Sequence, residues 1–139
     1  MADKLIIEIF REKNAEEFTK ALAAPDSRLE TGSAAAMTAA VAMSLAARAA
    51  AACDQSGEKA QYIARNIETL RGYMVHLIDE DVKSRGPLRR AIKEGDARTI
   101  EAARQPAVCI DQEIINMMGQ ALELIAGLAE ICPKDSMHY

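Results

Sequence analysis

The sequence predicts an all-α fold, a multihelical antiparallel bundle with long helices that assembles into an oligomer. Three observations predict it. Twelve of the nineteen residues between positions 34 and 52 are alanine. So slim a surface is a poor ordinary core helix but suits close approach by other backbones or by a partner subunit. Ile63, Ile67, Leu70, Met74 and Leu77 step by four and three, as do Ile110, Ile114, Met117, Ala121, Leu124, Leu128 and Ile131. Such alternation marks long packed helices. With two Phe, three Tyr and no Trp, the core falls to Ala, Ile, Leu and Met, a palette that favours helices over strands.

The elements follow in order. Residues 5–10 mix alternating and non-alternating apolar positions and are read as a helix. Asn14 with Glu17 three residues later is a relative of the capping box. The helix it opens runs to about Ala24, before Pro25, with Phe18 and Leu22 on one face. Residues 25–31 form a loop. Gly32 supplies a flexible turn and Ser33 the N-cap of the alanine helix. Residues 54–57 separate that helix from the third. Gly86-Pro87 is expected to break or bend the third helix, and Gly95 closes the region. A fourth helix opens at Asp96, kinks near Pro106 and ends at Pro133.

Composition narrows the function. A chain of 139 residues is expected to form one domain, residues 1–139, with a core that needs neither metal nor disulfide. A formal charge of −4 without a basic run excludes nucleic acid as the expected partner. The alanine run approaches bilayer length, but Thr38, Ser44 and Arg48 interrupt it, so no membrane span is expected. Cys53, Cys109 and Cys132 are scattered and odd in number. They read as reduced thiols of a cytoplasmic protein, with Cys109 as a small core residue. No HExxH, paired Glu-x-x-His or CxxC pattern occurs, so no metal is expected.

Candidate chemistry gathers in two places. Leu77-Ile78-Asp79-Glu80-Asp81 puts three carboxylates on one turn, and Asp81 falls where the apolar seam calls for a buried residue. Crowded, partly buried acids raise one another's pKa and become proton carriers near neutrality. The ordinary alternative ends the seam at Ile78 and turns the acids to water, paired with Lys83 and Arg85, and acidic runs usually take it. The second place is Thr31-Gly32-Ser33, where backbone N–H groups at a helix start attract anions. Arg85, Arg89 and Arg90 offer cations to an anionic ligand, although a solvated face is the usual role. His76 reads as a surface residue.

These pieces together resemble the cyclodeaminase domain of formiminotransferase-cyclodeaminase and the related methenyltetrahydrofolate cyclohydrolases. Glu16-Glu17-Phe18 and Leu22-Ala23 match that family's EEFxxxLA helix. Gly32-Ser33 with Ala35 and Ala36 matches the end of its glycine-rich loop. Leu77-Ile78-Asp79-Glu80-Asp81 matches its acidic stretch, and Ala103, Pro106 and Ile110 its next helix start. The resemblance implies a cytoplasmic, homodimeric enzyme of folate one-carbon metabolism, a lyase or hydrolase. Its substrate is a tetrahydrofolate derivative, with no separate cofactor. It implies Asp81 as proton carrier, Asp79 tuning it, and Gly32, Ser33 and Arg85 as substrate-binding residues. Three departures stand out. Leu29-Glu30-Thr31-Gly32-Ser33 replaces a PGGGS-like loop, Arg85 stands near a usual aromatic, and the chain stops at Tyr139 where family members continue. The last implies a fragment, truncated at its C-terminus, or a reduced relative completed by a partner chain. The competing expectation is a non-catalytic helical oligomer of the same fold that has lost its site.

Overall fold

In a computed structural model that describes residues 8–53 and 57–132, all regular structure is helical. A single 3-10 turn, Phe10–Glu12, precedes α1 (Ala15–Ala23), α2 (Thr31–Ala52), α3 (Glu58–Glu94) and α4 (Ala97–Ile131). Most of the helix foreseen over residues 5–10 lies outside the described residues. Its last position, Phe10, opens the 3-10 turn instead and is buried.

The local signals act as their chemistry dictates. The Asn14 side chain accepts from the Glu17 amide at 2.9 Å, and Glu17 accepts from the Asn14 amide at 3.2 Å, a complete capping box. Phe18 and Leu22, four apart in α1, share a face as expected, with Phe18 buried and Leu22 37% exposed at its edge. Gly95 ends α3 with φ of 79°, a left-handed cap suited to glycine. Asp96 caps α4 through the Thr99 amide at 2.8 Å. Helix α4 ends at Ile131 with Cys132 as its C-cap, and Pro133, expected to end it, lies outside the described residues.

Two expectations about α2 and α3 are corrected. Ser33 is not the N-cap of α2, nor is Gly32 a turn. The helix already starts at Thr31, Glu30 takes the cap position without a side-chain cap bond, and both residues are buried inside the first turn. Gly86-Pro87 does not break α3, which runs on to Glu94. A helical proline gives up one backbone hydrogen bond and crowds both the carbonyl four residues back and the Cβ of the residue before it, and at Gly86 only the last of these is absent. Ion pairs from Arg85 and Arg89 hold the chain on either side of the proline. Likewise α4 runs through Pro106.

Helix α3 is the centre of the fold, packed on both α2 and α4, which also touch each other. Its seam residues Ile63, Ile67, Leu70, Met74 and Leu77 are all buried. The alanine helix packs as its slimness requires, with Ala36, Ala39, Ala40, Ala46 and Ala50 buried around Met43. One core cluster joins Phe10, Phe18, Leu29 and Ile114 to the first half of α2 and to Met74, Leu77 and Ile78. The other joins Met43 and Ala46 to Ile67, Ala121 and Leu128. Lys59 meets Glu130, Ile63 lies against Gly127 and Tyr73 bonds Glu113, so the start of α3 pairs with the end of α4.

The cysteines contradict the reduced-thiol reading. Cys53 and Cys132, the C-caps of α2 and α4, form a disulfide with Cα atoms 5.4 Å apart. Cys109 is free but exposed, not a core residue. By length and composition alone, α2 and α4 are both apolar enough to cross a membrane.

Candidate active site

Both aspartates of the acidic stretch are buried, which overturns the solvated reading. Asp81 is fully enclosed and Asp79 is 4% exposed, while Glu80 between them reaches solvent and pairs with Lys83 at 2.7 Å. That bond holds the Glu80 carboxyl below the ordinary range, opposite to the rise expected from crowding. Residues 79 and 81 lie about 200° apart around a helix at 3.6 residues per turn, so they serve different surroundings.

Asp81 faces the start of α2. Its Oδ2 accepts from the Ser33 amide at 2.8 Å and from the Ser33 hydroxyl at 2.7 Å. That hydroxyl also lies 3.1 Å from the Ile78 carbonyl. Asp81 Oδ1 accepts from Arg85 Nε at 2.8 Å. Gly32 is required by this approach, because a Cβ built there would stand 2.7 Å from the Asp81 carboxyl carbon. The helix start does attract an anion, as its free N–H groups predict, and the anion is the protein's own.

Arg85 extends the network. Its Nη2 donates to Asp111 on α4 at 2.6 Å, and its Nε lies 3.4 Å from Glu30. Glu30 in turn accepts from Arg89 at 2.8 Å. Burial works against the Arg85 charge, but the bond to Asp81 and the charges of Asp81, Asp111 and Glu30 outweigh it and raise its pKa. Gly32, Ser33, Asp81 and Arg85 thus come together as the resemblance implies, yet their bonding capacity is spent on one another. Glu30 and Asp111 escaped sequence reasoning. Only the four-residue spacing of Asp81, Arg85 and Arg89 hinted at the network, and nothing local marks Asp111.

Asp79 stands apart on another side of α3. Its Oδ1 accepts from the Phe10 amide at 2.7 Å. Its Oδ2 is buried and accepts no hydrogen bond among the described residues. Arg11 Nε is 3.6 Å away, an ion pair without a hydrogen bond. Arg11 Nη1 lies 3.4 Å from His76 Nδ1, and His76, half exposed as expected, is 3.7 Å from Glu80. Asp79 and Arg11 line a cavity of about 780 Å³ with Ile9, Phe10 and Val82, rimmed by Arg28, Arg89, Arg90 and Lys93. That volume lies within the range of small-molecule sites. A carboxyl beside a cavity, with one oxygen fixed and the other free of hydrogen bonds, is of the type that takes or returns a proton once a ligand or a side-chain shift opens access to it. Among the described residues, no three His, Cys, Asp or Glu side chains are grouped to hold a metal ion.

A family model described as formiminotransferase-cyclodeaminase matches residues 14–137. None of the curated proteins and none of the solved structures compared with the chain matches it.

Proposed function

The chain belongs to the formiminotransferase-cyclodeaminase family, and from that membership we propose that it is an enzyme of folate one-carbon chemistry. Two reactions fit. In the cyclodeaminase reaction, N10 of 5-formiminotetrahydrofolate attacks the formimino carbon and a proton leaves N10. The bond to the formimino nitrogen then breaks, and that nitrogen departs protonated as ammonia, giving 5,10-methenyltetrahydrofolate. In the cyclohydrolase reaction, water opens the methenyl bridge. Both need a group that accepts a proton and returns it.

The observation that carries the reading is Asp79 itself, a buried carboxyl that lines the cavity with one oxygen bonded to the Phe10 amide and the other without a hydrogen bond, beside Arg11. Asp79 therefore takes the proton-carrying role first expected of Asp81. Asp81, held by Ser33 and Arg85, is the internal anion that fixes the start of α2 against α3. Gly32, Ser33 and Arg85 support the site through this lock. The cationic rim of Arg28, Arg90 and Lys93 suits the carboxylates of a folate.

The proposal includes a single domain over residues 1–139, an antiparallel helical bundle and a homodimer. Val41 and Leu45 on α2, with Ile115, Met118 and Leu122 on α4, are exposed apolar residues at helical spacing and suit a second copy. Asp111, Glu113 and Glu123 along α4, and Arg48 in α2, argue against membrane insertion. A cytoplasmic location rests on the folate substrate, since the paired cysteines no longer support it.

The test is incubation of the folded protein with 5-formiminotetrahydrofolate, following methenyl absorbance and ammonia, and separately with methenyltetrahydrofolate, following loss of that absorbance. Conversion above the buffer rate in either supports the enzyme. A second reading, the same fold without catalysis, is favoured by the closure of Asp81 within its network. It predicts no conversion and no thermal shift with folates, since a ligand of the folded state must raise the melting temperature.

A further inference from the structure

We propose that the 3-10 turn Phe10–Glu12 is a plug over Asp79, and that this carboxyl meets a ligand only when the turn swings out. The plug regulates the site proposed above and rests on that use of Asp79. Both oxygens of the carboxyl are covered by the turn. The Phe10 amide donates to Oδ1 at 2.7 Å. Oδ2 is shut off from solvent, and Arg11 Nε stands 3.6 Å from it. Phe10 is 3% exposed, so its ring seats the turn while its amide holds the carboxyl. Glu8, Ile9, Phe10 and Arg11 form one side of the cavity. An N–H donor and a cation are what a carboxylate takes from a ligand, and here the chain supplies both.

The turn is built to leave. A 3-10 helix has poor hydrogen-bond geometry, and this one starts at Ile9 with no side-chain cap and packs chiefly on α3. Lys13 behind it is extended, with φ −72° and ψ 146°. The Asn14–Glu17 capping box then fixes α1 on its own, which makes Lys13 a hinge between a short turn and a capped helix. Ile9 is exposed, and the contact of Arg11 with His76 Nδ1 at 3.4 Å lies at the surface. Segments of this kind open well below the free energy of global unfolding. Asp81 has no such exit, because Ser33 of α2 and Arg85 of α3 hold it. Opening therefore frees one aspartate and leaves the other locked. A ligand of the open state binds with its affinity reduced by the open fraction, so the plug sets the sensitivity of the site.

The experiment labels the carboxyls of the whole folded chain with a water-soluble carbodiimide and an amine, and locates the products by mass spectrometry. Phe10→Ala loses the seat of the turn but keeps its amide. Asp79 should be labelled at least about tenfold faster in this variant than in wild type, while Asp81 stays unlabelled in both. Arg11→Ala, at a half-exposed position, should speed Asp79 labelling about threefold. Asp79 labelled no faster in either variant than in wild type overturns the proposal, as does labelling of Asp79 and Asp81 in step. Should Phe10→Ala fail to fold, amide exchange in wild type decides. The Phe10 N–H must then exchange at least about tenfold faster than those of Met74 and Leu77 in α3, and exchange in step with them overturns the plug. No folate enters these measurements. Opening in a protein that converts no folate removes the reaction alone, whereas conversion by a protein whose Asp79 stays closed removes the plug and moves the proton carrier elsewhere.

Discussion

Ser33 gives both its backbone N–H and its hydroxyl to one oxygen of Asp81, across 48 residues of sequence. The bond pair ties the first turn of α2 to the middle of α3, and Arg85 closes the other side of the carboxylate. Asparagine keeps one acceptor for Ser33 but removes the charge and turns an N–H donor toward the buried Arg85. Asp81→Asn should therefore cost about 3 kcal/mol, as breaking one side of a buried ion pair does. A lowered urea midpoint with an unchanged slope is the expected result. Asp81→Asn as stable as wild type would show the network to be incidental.

Gly32 offers a sharper test because the sign is unusual. Within a helix, Gly→Ala ordinarily stabilises by about 1 kcal/mol through propensity. At Gly32 the added methyl meets the Asp81 carboxyl at 2.7 Å from its carbon, and that side chain is held by three hydrogen bonds and has no free direction to move. Overpacking of this kind costs about 1–3 kcal/mol, so Gly32→Ala should lower the thermal midpoint. Gly72→Ala, at a helical glycine with nothing within 4 Å of an added methyl, should raise it.

Much of this was legible in sequence, and the reasons are local. Asn14 and Glu17 form their capping box because both partners lie within four residues. The α3 seam forecast the depth of Asp81, because helical spacing fixes direction whatever the residue. The stretch from Glu30 to Ser33 was misread because Glu30, drawn to Arg89 and Arg85 59 and 55 positions away, sits at the cap in place of Ser33. Pro87 misled because the ion pairs that hold Arg85 and Arg89 on either side of it reach residues far away in sequence. Asp111 and Arg11 had no signal at all, since each gains its role only from a residue brought close by tertiary packing.

For catalysis, Asp79→Asn is the decisive variant. The amide oxygen still accepts from the Phe10 N–H, so the fold should hold with a thermal midpoint near that of wild type. Removing a general base costs about 100-fold or more in rate. Initial rates on 5-formiminotetrahydrofolate should fall accordingly, with Asp79→Glu retaining more activity than Asp79→Asn. Equal rates for Asp79→Asn and wild type would return the proton-carrying role to another group.

The Cys53–Cys132 bond closes a loop with a sequence separation of 79 residues. Loop-closure entropy of that length corresponds to about 4.5 kcal/mol of stabilisation. Both sulfurs belong to buried C-cap residues of α2 and α4, so the bond secures the helix ends remote from the Asp79 cavity. Dithiothreitol should lower the urea midpoint of wild type and leave Cys53→Ser unaffected, while folate binding at low denaturant stays within about twofold. A midpoint indifferent to reductant in wild type would show the thiols to be unpaired in solution.

Asp96 sets an acid-side dependence that can be read with a single substitution. Its side chain accepts from the hydroxyl of Thr99, bonded at 2.5 Å, and from the Thr99 amide at 2.8 Å, and these bonds hold its pKa below the ordinary 3.8. A carboxyl depressed in the folded state contributes stability in full above its unfolded value and loses it as pH falls through the folded one. Asparagine also caps, but it lacks the charge that favours a helix start and does not titrate in this range. The stability advantage of wild type over Asp96→Asn should therefore be constant above about pH 5, begin to shrink near 3.8 and vanish at lower pH. Thermal midpoints of both proteins from pH 6 down to about 2.5 would trace the closing gap. A gap that widens with acid would mean that the carboxylate is destabilising at the cap, and that α4 is started by the Thr99 hydroxyl rather than by Asp96.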